Sequence, residues 1–277
     1  MAVKKSTAPK APIELIDVAL LPAVMAALFY GRPGTGKTTI GATFPKPAVL
    51  LDIREKGTDS ISNIKGIKVG KIEEWEEFED MYWYLKEAQH GYKTVIVDQL
   101  TALQAVAMRK AFKDTGKEEG DHASKRIFGV ASGLMNEWLL KYRDLVDEEI
   151  NIVFIAHDRI TGGGDEGSGE DEIDPMVGPR VMPSVASTIG AAVKLIGNTF
   201  IKETYSIQQQ GKLKKKVRQV QYGMRLGPHG YYTTKVRAPF GIAAPEILVD
   251  PTYDKLMAVM RGDYQENSSS VRRKITR

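Results

Sequence analysis

Short apolar runs that stop at a glycine or a polar residue recur along this chain. Ala26-Ala27-Leu28-Phe29-Tyr30 ends at Gly31, and Pro47-Ala48-Val49-Leu50-Leu51 ends at Asp52. Thr94-Val95-Ile96-Val97 ends at Asp98, and Asn151-Ile152-Val153-Phe154-Ile155-Ala156 ends at His157. Runs of this length and β-branched content predict strands buried on both faces. Between them the period changes. Trp75, Phe78, Tyr82 and Leu85 recur at helical spacing among Glu and Asp, which predicts an amphipathic helix over residues 73–89. Helices are also expected from Thr38 to Thr43 (with Pro45 as the stop), over 101–113, over 127–147 and over 252–261. Polar, glycine-containing stretches at 113–125 and 161–180 read as loops. Alternation over 191–196, 200–208, 216–225 and 231–236 predicts antiparallel strands.

Strands alternating with helices imply an α/β fold: a mostly parallel central sheet with helices on both faces, followed by a C-terminal antiparallel extension. The expected division is a mobile N-terminal arm at 1–20, one domain over 21–262 and a basic disordered tail at 263–277. Ligands of such sheets bind at the carboxyl ends of the strands. Gly31, Asp52, Asp98 and His157 all fall there.

Composition removes some chemistries. The 277 residues include no cysteine, so disulfides and cysteine-ligated zinc or iron–sulfur sites are excluded. No apolar run approaches the ~20 residues that span a bilayer. Lys4, Lys5 and Lys10 are not followed by a signal-type apolar core. The expectation is a cytoplasmic protein with no membrane partner. A net charge of +4 permits a polyanionic partner without demanding one. The charge is uneven: residues 73–80 and 165–174 are acidic, whereas 212–218 and 271–277 are basic.

The sharpest local signal is Gly31-Arg32-Pro33-Gly34-Thr35-Gly36-Lys37-Thr38, followed by Thr39. A strand, then Gly-x-x-x-x-Gly-Lys-Thr, then a helix is the arrangement that cradles nucleotide phosphates on backbone N–H groups. The cofactors it implies are ATP and Mg²⁺. Lys37 is expected to reach the β- and γ-phosphates and Thr38 to ligate the magnesium. Asp98, a carboxylate at the end of an apolar strand, is expected to hold the same ion. Glu55 and Asp52 are both candidates to activate the attacking water. His157, on a strand next to that of Asp98, is a candidate sensor of the γ-phosphate.

With Tyr30 to Thr39, Leu51-Asp52 through Gly57-Thr58-Asp59-Ser60, Val95-Ile96-Val97-Asp98 and Ile155-Ala156-His157 on the page, the chain resembles the phage-encoded RecA-like ATPases. These include the Sak-type single-strand annealing proteins, which are similar to the catalytic core of RecA-type recombinases. The resemblance covers about residues 24–250. Gly178-Pro179-Arg180 through Val185-Ala186-Ser187-Thr188 to Val193-Lys194-Leu195 looks like the recombinase segment after the second DNA-binding loop. Lys235-Val236-Arg237-Ala238-Pro239-Phe240 looks like a late recombinase segment whose basic pair reaches a neighbouring subunit's γ-phosphate. The resemblance implies a RecA-like P-loop NTPase fold and self-association into a filament or ring. It also implies single-stranded DNA as partner, a role in annealing or strand pairing during phage-type recombination, and a single-strand DNA-binding protein as a further partner. The family places its catalytic glutamate two residues after the strand-end Asp. Here Arg54 occupies that position and Glu55 follows it, so either the turn shifts by one residue or hydrolysis is weak.

DNA contacts are expected from Arg159, Arg180 and the run Lys212, Lys214, Lys215, Lys216 and Arg218, with nearby tyrosines as stacking surfaces. Direct contact by the acidic stretch at 165–174 is not expected. A replication motor, a helicase loader and a weakly hydrolysing nucleotide switch are the alternatives.

Overall fold

The apolar runs form the middle of one sheet in a computed structural model that describes residues 15–17, 23–118, 121–162, 174–210 and 213–265, with backbone alone at 206–210 and 213–217. β1 (Ala26–Tyr30), β2 (Ala48–Ile53), β3 (Ile67–Ile72), β4 (Thr94–Asp98) and β5 (Asn151–Ala156) are all parallel to their neighbours. β6 (Asp158–Thr161) and β7 (Met176–Pro179) form a separate antiparallel hairpin. β8 (Leu195–Gln210) begins parallel to β1 and then pairs antiparallel with β9 (Leu213–Arg225). Two short strands, β10 (Lys235–Val236) and β11 (Ile247–Val249), complete the main sheet, whose order is β11-β9-β8-β1-β5-β4-β2-β3 with β10 on β8. β5 therefore lies between the strand that feeds the glycine-rich loop and the strand that ends in Asp98.

Alternate residues of the central strands supply two cores, because a buried parallel strand sends side chains to both faces. Leu28, Leu51, Val97 and Phe154 face α2 (Trp75–Glu87), α3 (Leu100–Asp114), α4 (Lys125–Asp144) and α5 (Pro183–Ala192). Phe29, Leu50, Ile96 and Val153 face α1 (Lys37–Gly41) and α6 (Tyr253–Arg261). Helices thus cover both faces. None of the described helices is long and apolar enough to cross a membrane.

The differences from expectation have local causes. β3 was not expected: Ile67-Lys68-Val69-Gly70-Lys71-Ile72 mixes lysine and glycine into the run because it is an edge strand, half in water. The expected strand over 191–196 is instead the end of α5 and the start of β8. Pro183 presets the first turn of α5, and only Val185 and Ile189 are buried along it, so its helical period is faint. The stretch at 161–180 is not loop throughout, since its ends pair as β6 and β7. Its middle, 163–173, and almost all of the expected arm (1–20) and tail (263–277) lie outside the described residues.

Candidate functional site

The loop between β1 and α1 presses against β8. A Cβ on Gly31 would lie 2.4 Å from the Thr199 carbonyl oxygen and 2.5 Å from its Oγ1, so no side chain fits. Gly36, the residue before α1, takes φ +83, a left-handed conformation that glycine adopts without strain, and sits against the Tyr222 ring. Thr35 Oγ1 lies 2.8 Å from the Arg32 carbonyl oxygen and 2.7 Å from Thr199 Oγ1. Arg32, Pro33 and Gly34 form the exposed crest of the loop.

Lys37 is buried, and its Nζ donates to the carbonyls of Gly31 and Arg32, both at 2.8 Å. Burial pulls its pKa below the ordinary lysine value, with Asp98 opposing the shift. Thr38 Oγ1 donates to Asp98 Oδ2 at 2.7 Å. Burial raises the Asp98 pKa, opposed by that hydrogen bond and by Lys37. α1 is little more than one turn, so the loop N–H groups and Lys37, rather than a long helix dipole, attract the phosphates. A cleft of about 570 Å³ runs from Gly34 and Thr38 past exposed Thr39 to Tyr222, Asp250 and Pro251. That volume suits a nucleotide.

The strand ends next to the loop carry a polar line. Asp52 accepts the backbone N–H groups of Glu55 (3.1 Å) and Lys56 (3.0 Å), closing a turn in which Arg54 and Lys56 have positive φ. That turn sends Arg54 outward to Glu73, 3.4 Å away, and Glu55 inward to Gln99. Asp52 is therefore committed to the turn, and Glu55, one residue later than the family spacing, is the carboxylate that faces Gln99. The Gln99 Nε2 amide donates to Glu55 Oε1 and lies 2.7 Å from His157 Nε2. The Asp98–Gln99 peptide is cis. Burial lowers the His157 pKa, reinforced by Lys37 and Arg180 and opposed by Glu55. The His157 N–H donates to Thr101 Oγ1 at 3.2 Å, and the Arg180 N–H donates to the His157 carbonyl at 2.7 Å. Gln99 and Thr101 are the members of this line that carry no motif in the sequence. The one sequence signal of Gln99 is its place directly after a strand-end Asp.

The other expected residues are dispersed. Arg159, on β6, and Arg180, just after β7, share a separate cavity with Arg109 of α3 over an apolar floor of Ala105, Met108 and Phe112. Lys235 Nζ donates to the carbonyls of Gly190 (2.7 Å) and Ala191 (2.8 Å), and Arg237 Nη2 donates to Ala191 O at 2.8 Å. Both cations cap the C-terminus of α5. They lie toward the amino end of β1, away from the phosphate loop of their own chain, because Val236 pairs with Leu195, itself beside Ala27. Arg218 is exposed and pairs with Glu203. Lys212 lies outside the described residues, and Lys214, Lys215 and Lys216 are placed only by backbone register, opposite Gln209, Gln208 and Ile207.

A hydroxyl and a carboxylate meeting 2.7 Å apart beside a buried lysine form a hard oxygen donor set that fits Mg²⁺. Thr38 and Asp98 would hold the ion, and Lys37 with the loop N–H groups would hold the phosphates. No curated protein shows detectable sequence similarity to the chain. The AAA_24 family model, described as an AAA domain, matches residues 24–237. That match spans most of the chain, including the glycine-rich loop, Asp98 and His157, and the chain belongs to this family of P-loop ATPases.

Proposed function

We propose that this ATPase works as an oligomer on single-stranded DNA and promotes annealing or strand pairing in phage-type recombination. The observation that carries this reading is the line from Glu55 through Gln99 to His157, whose backbone is bonded to Arg180 beside the cavity that Arg180 shares with Arg159. The nucleotide site and two cationic side chains are thereby parts of one connected structure. Among the described residues, neither guanidinium has an acidic partner. Two unpaired guanidiniums facing one cavity favour an anion such as a backbone phosphate, and the apolar floor suits a base.

In this reading Lys37 and the loop N–H groups bind and orient the β- and γ-phosphates. Bound magnesium supplies neutralisation of charge on the phosphate oxygens. Glu55 takes a proton from water as the water oxygen attacks the γ-phosphorus, and the bond to the β-phosphate oxygen breaks with its electrons left on ADP. Lys235 and Arg237 would serve a neighbouring subunit, which would make hydrolysis depend on assembly.

Steady-state ATP hydrolysis with and without single-stranded DNA, with Lys37→Ala as the blank, tests the reading. Stimulation by DNA that Arg159→Ala and Arg180→Ala remove is the expected result. ATP turnover that DNA leaves unchanged, in protein that binds nucleotide, would count against it and favour a nucleotide switch.

A further inference from the structure

Gln99 is the residue before α3, but its side chain does not cap that helix. It is 2% exposed, and its amide turns instead toward the carboxyl edge of the sheet. There one NH₂ group faces two acceptors, the Glu55 carboxylate and His157 Nε2 at 2.7 Å. Its own Oε1 is buried without a hydrogen-bond partner among the described residues, and so is His157 Nδ1. A buried amide with a purely structural role is normally satisfied at both ends, because an unpaired buried polar atom costs free energy.

The unpaired oxygen follows from what the nitrogen has to do. Turning the amide over would set Oε1 against the carboxylate oxygen of Glu55, acceptor against acceptor. The charge on Glu55 therefore fixes the amide, and the fixed amide in turn fixes both neighbours. With an N–H pointing at its Nε2, a neutral His157 must carry its proton on Nδ1. Glu55 is otherwise exposed, and its second oxygen has no protein partner among the described residues, so one oxygen is tethered and the other is open to water.

We infer that Gln99 is the positioning residue of this ATPase: its NH₂ group tethers the Glu55 carboxylate and locks His157 in the Nδ1–H tautomer. The inference rests on the reading of Glu55 as the group that activates water. Through Gln99 the ends of β2, β4 and β5 share one hydrogen-bonded unit. Any displacement of His157, whose backbone carries the link to Arg180, is transmitted to Glu55 without passing through the phosphate loop.

The test compares Gln99→Met, close in volume without the amide, and Gln99→Glu, a carboxylate in the same place, with Glu55→Gln. Gln99→Met should lower kcat on the order of 10²-fold while KM for ATP stays within about twofold. Gln99→Glu should be worse than Gln99→Met, because it sets like charge against Glu55. A space-filling role would leave Gln99→Met near the wild-type rate and would not rank the two variants. The ¹⁵N imidazole signals of His157 in the wild-type protein should report the Nδ1–H tautomer and should lose that preference in Gln99→Met. Finding the Nε2–H tautomer in the wild type would overturn the inference even if neither variant folds. An inactive Glu55→Gln with a fully active Gln99→Met overturns the Gln99 inference alone. A fully active Glu55→Gln overturns the reading of Glu55 as well.

Discussion

Thr199 Oγ1 lies 2.7 Å from Thr35 Oγ1, from which it can accept while donating to the Tyr30 carbonyl at 3.2 Å, so one hydroxyl on β8 reaches both shoulders of the phosphate loop from more than 160 residues away. The loop is shaped by a distant strand as much as by its own glycines. Thr199→Val, close to isosteric, should cost about 1–2 kcal/mol and weaken ATP binding several-fold. Gly31→Ala should be harsher, because its Cβ meets a backbone carbonyl at 2.4 Å that cannot rotate away. Thermal melting and titration with a fluorescent nucleotide check both.

The contact between Thr38 and Asp98 predicts a magnesium-specific defect. Asp98→Asn keeps an acceptor for the Thr38 hydroxyl but removes the charge that would face the ion. Hydrolysis should fall on the order of 10²-fold or more, and the dependence of nucleotide affinity on Mg²⁺ should flatten. Titrating nucleotide with and without Mg²⁺ reads this directly.

Asp52 and Glu55 should separate cleanly. Asp52 accepts two backbone N–H groups, and a neutral amide oxygen can still accept them. Asp52→Asn should therefore keep most of the activity and lose at most about 1–2 kcal/mol of stability. Glu55→Gln should keep the fold and nucleotide binding while hydrolysis falls. Single-turnover rates alongside urea unfolding distinguish the two.

Lys235 and Arg237 cap α5, so the double alanine variant should lose about 0.5–2 kcal/mol whatever their role in catalysis. The test of action on a neighbour is complementation. Lys37→Ala subunits keep the basic pair but have a dead site, and the double variant has the reverse. Mixing the two inactive proteins should restore part of the ATPase activity, and failure to restore any would confine the pair to structure.

His157 gives a pH dependence with a definite sign. Its folded pKa lies below the ordinary 6.5, so the unfolded chain takes up a proton first as pH falls. Stability associated with neutral His157 is complete above the unfolded pKa and is lost as pH drops through about 6.5 toward the lower folded value. Denaturant unfolding from about pH 8 to about pH 5 should show this slope in the wild type and a smaller one in His157→Asn.

The phosphate loop, Asp98 and His157 were legible because each caps an apolar run, and apolar runs are what buried parallel strands require. Glu55 was legible as one of two candidate carboxylates, and the choice between it and Asp52 was not. The inward placing of Glu55 depends on the turn that Asp52 closes and on Arg54 facing Glu73, neither of which leaves a mark in spacing. Gln99 was missed because an uncharged amide carries no motif, and only the meeting of three strand ends gives it partners. β3 and α5 were missed for the same kind of reason. Lysine at a wetted edge and small residues along a short helix both dilute the period that burial would otherwise impose. Lys235 and Arg237 were legible as a basic pair, but α5, whose end they cap, was not.

β8 joins the phosphate loop to a distant part of the surface. It touches the phosphate loop at Thr199 and continues, laddered to β9, as far as Gln210. Eleven further residues of strand amount to roughly 36 Å. Past Phe200 the ladder to β9 is its only described strand pairing, so the strand that closes the phosphate loop is also the one that carries the chain farthest from it.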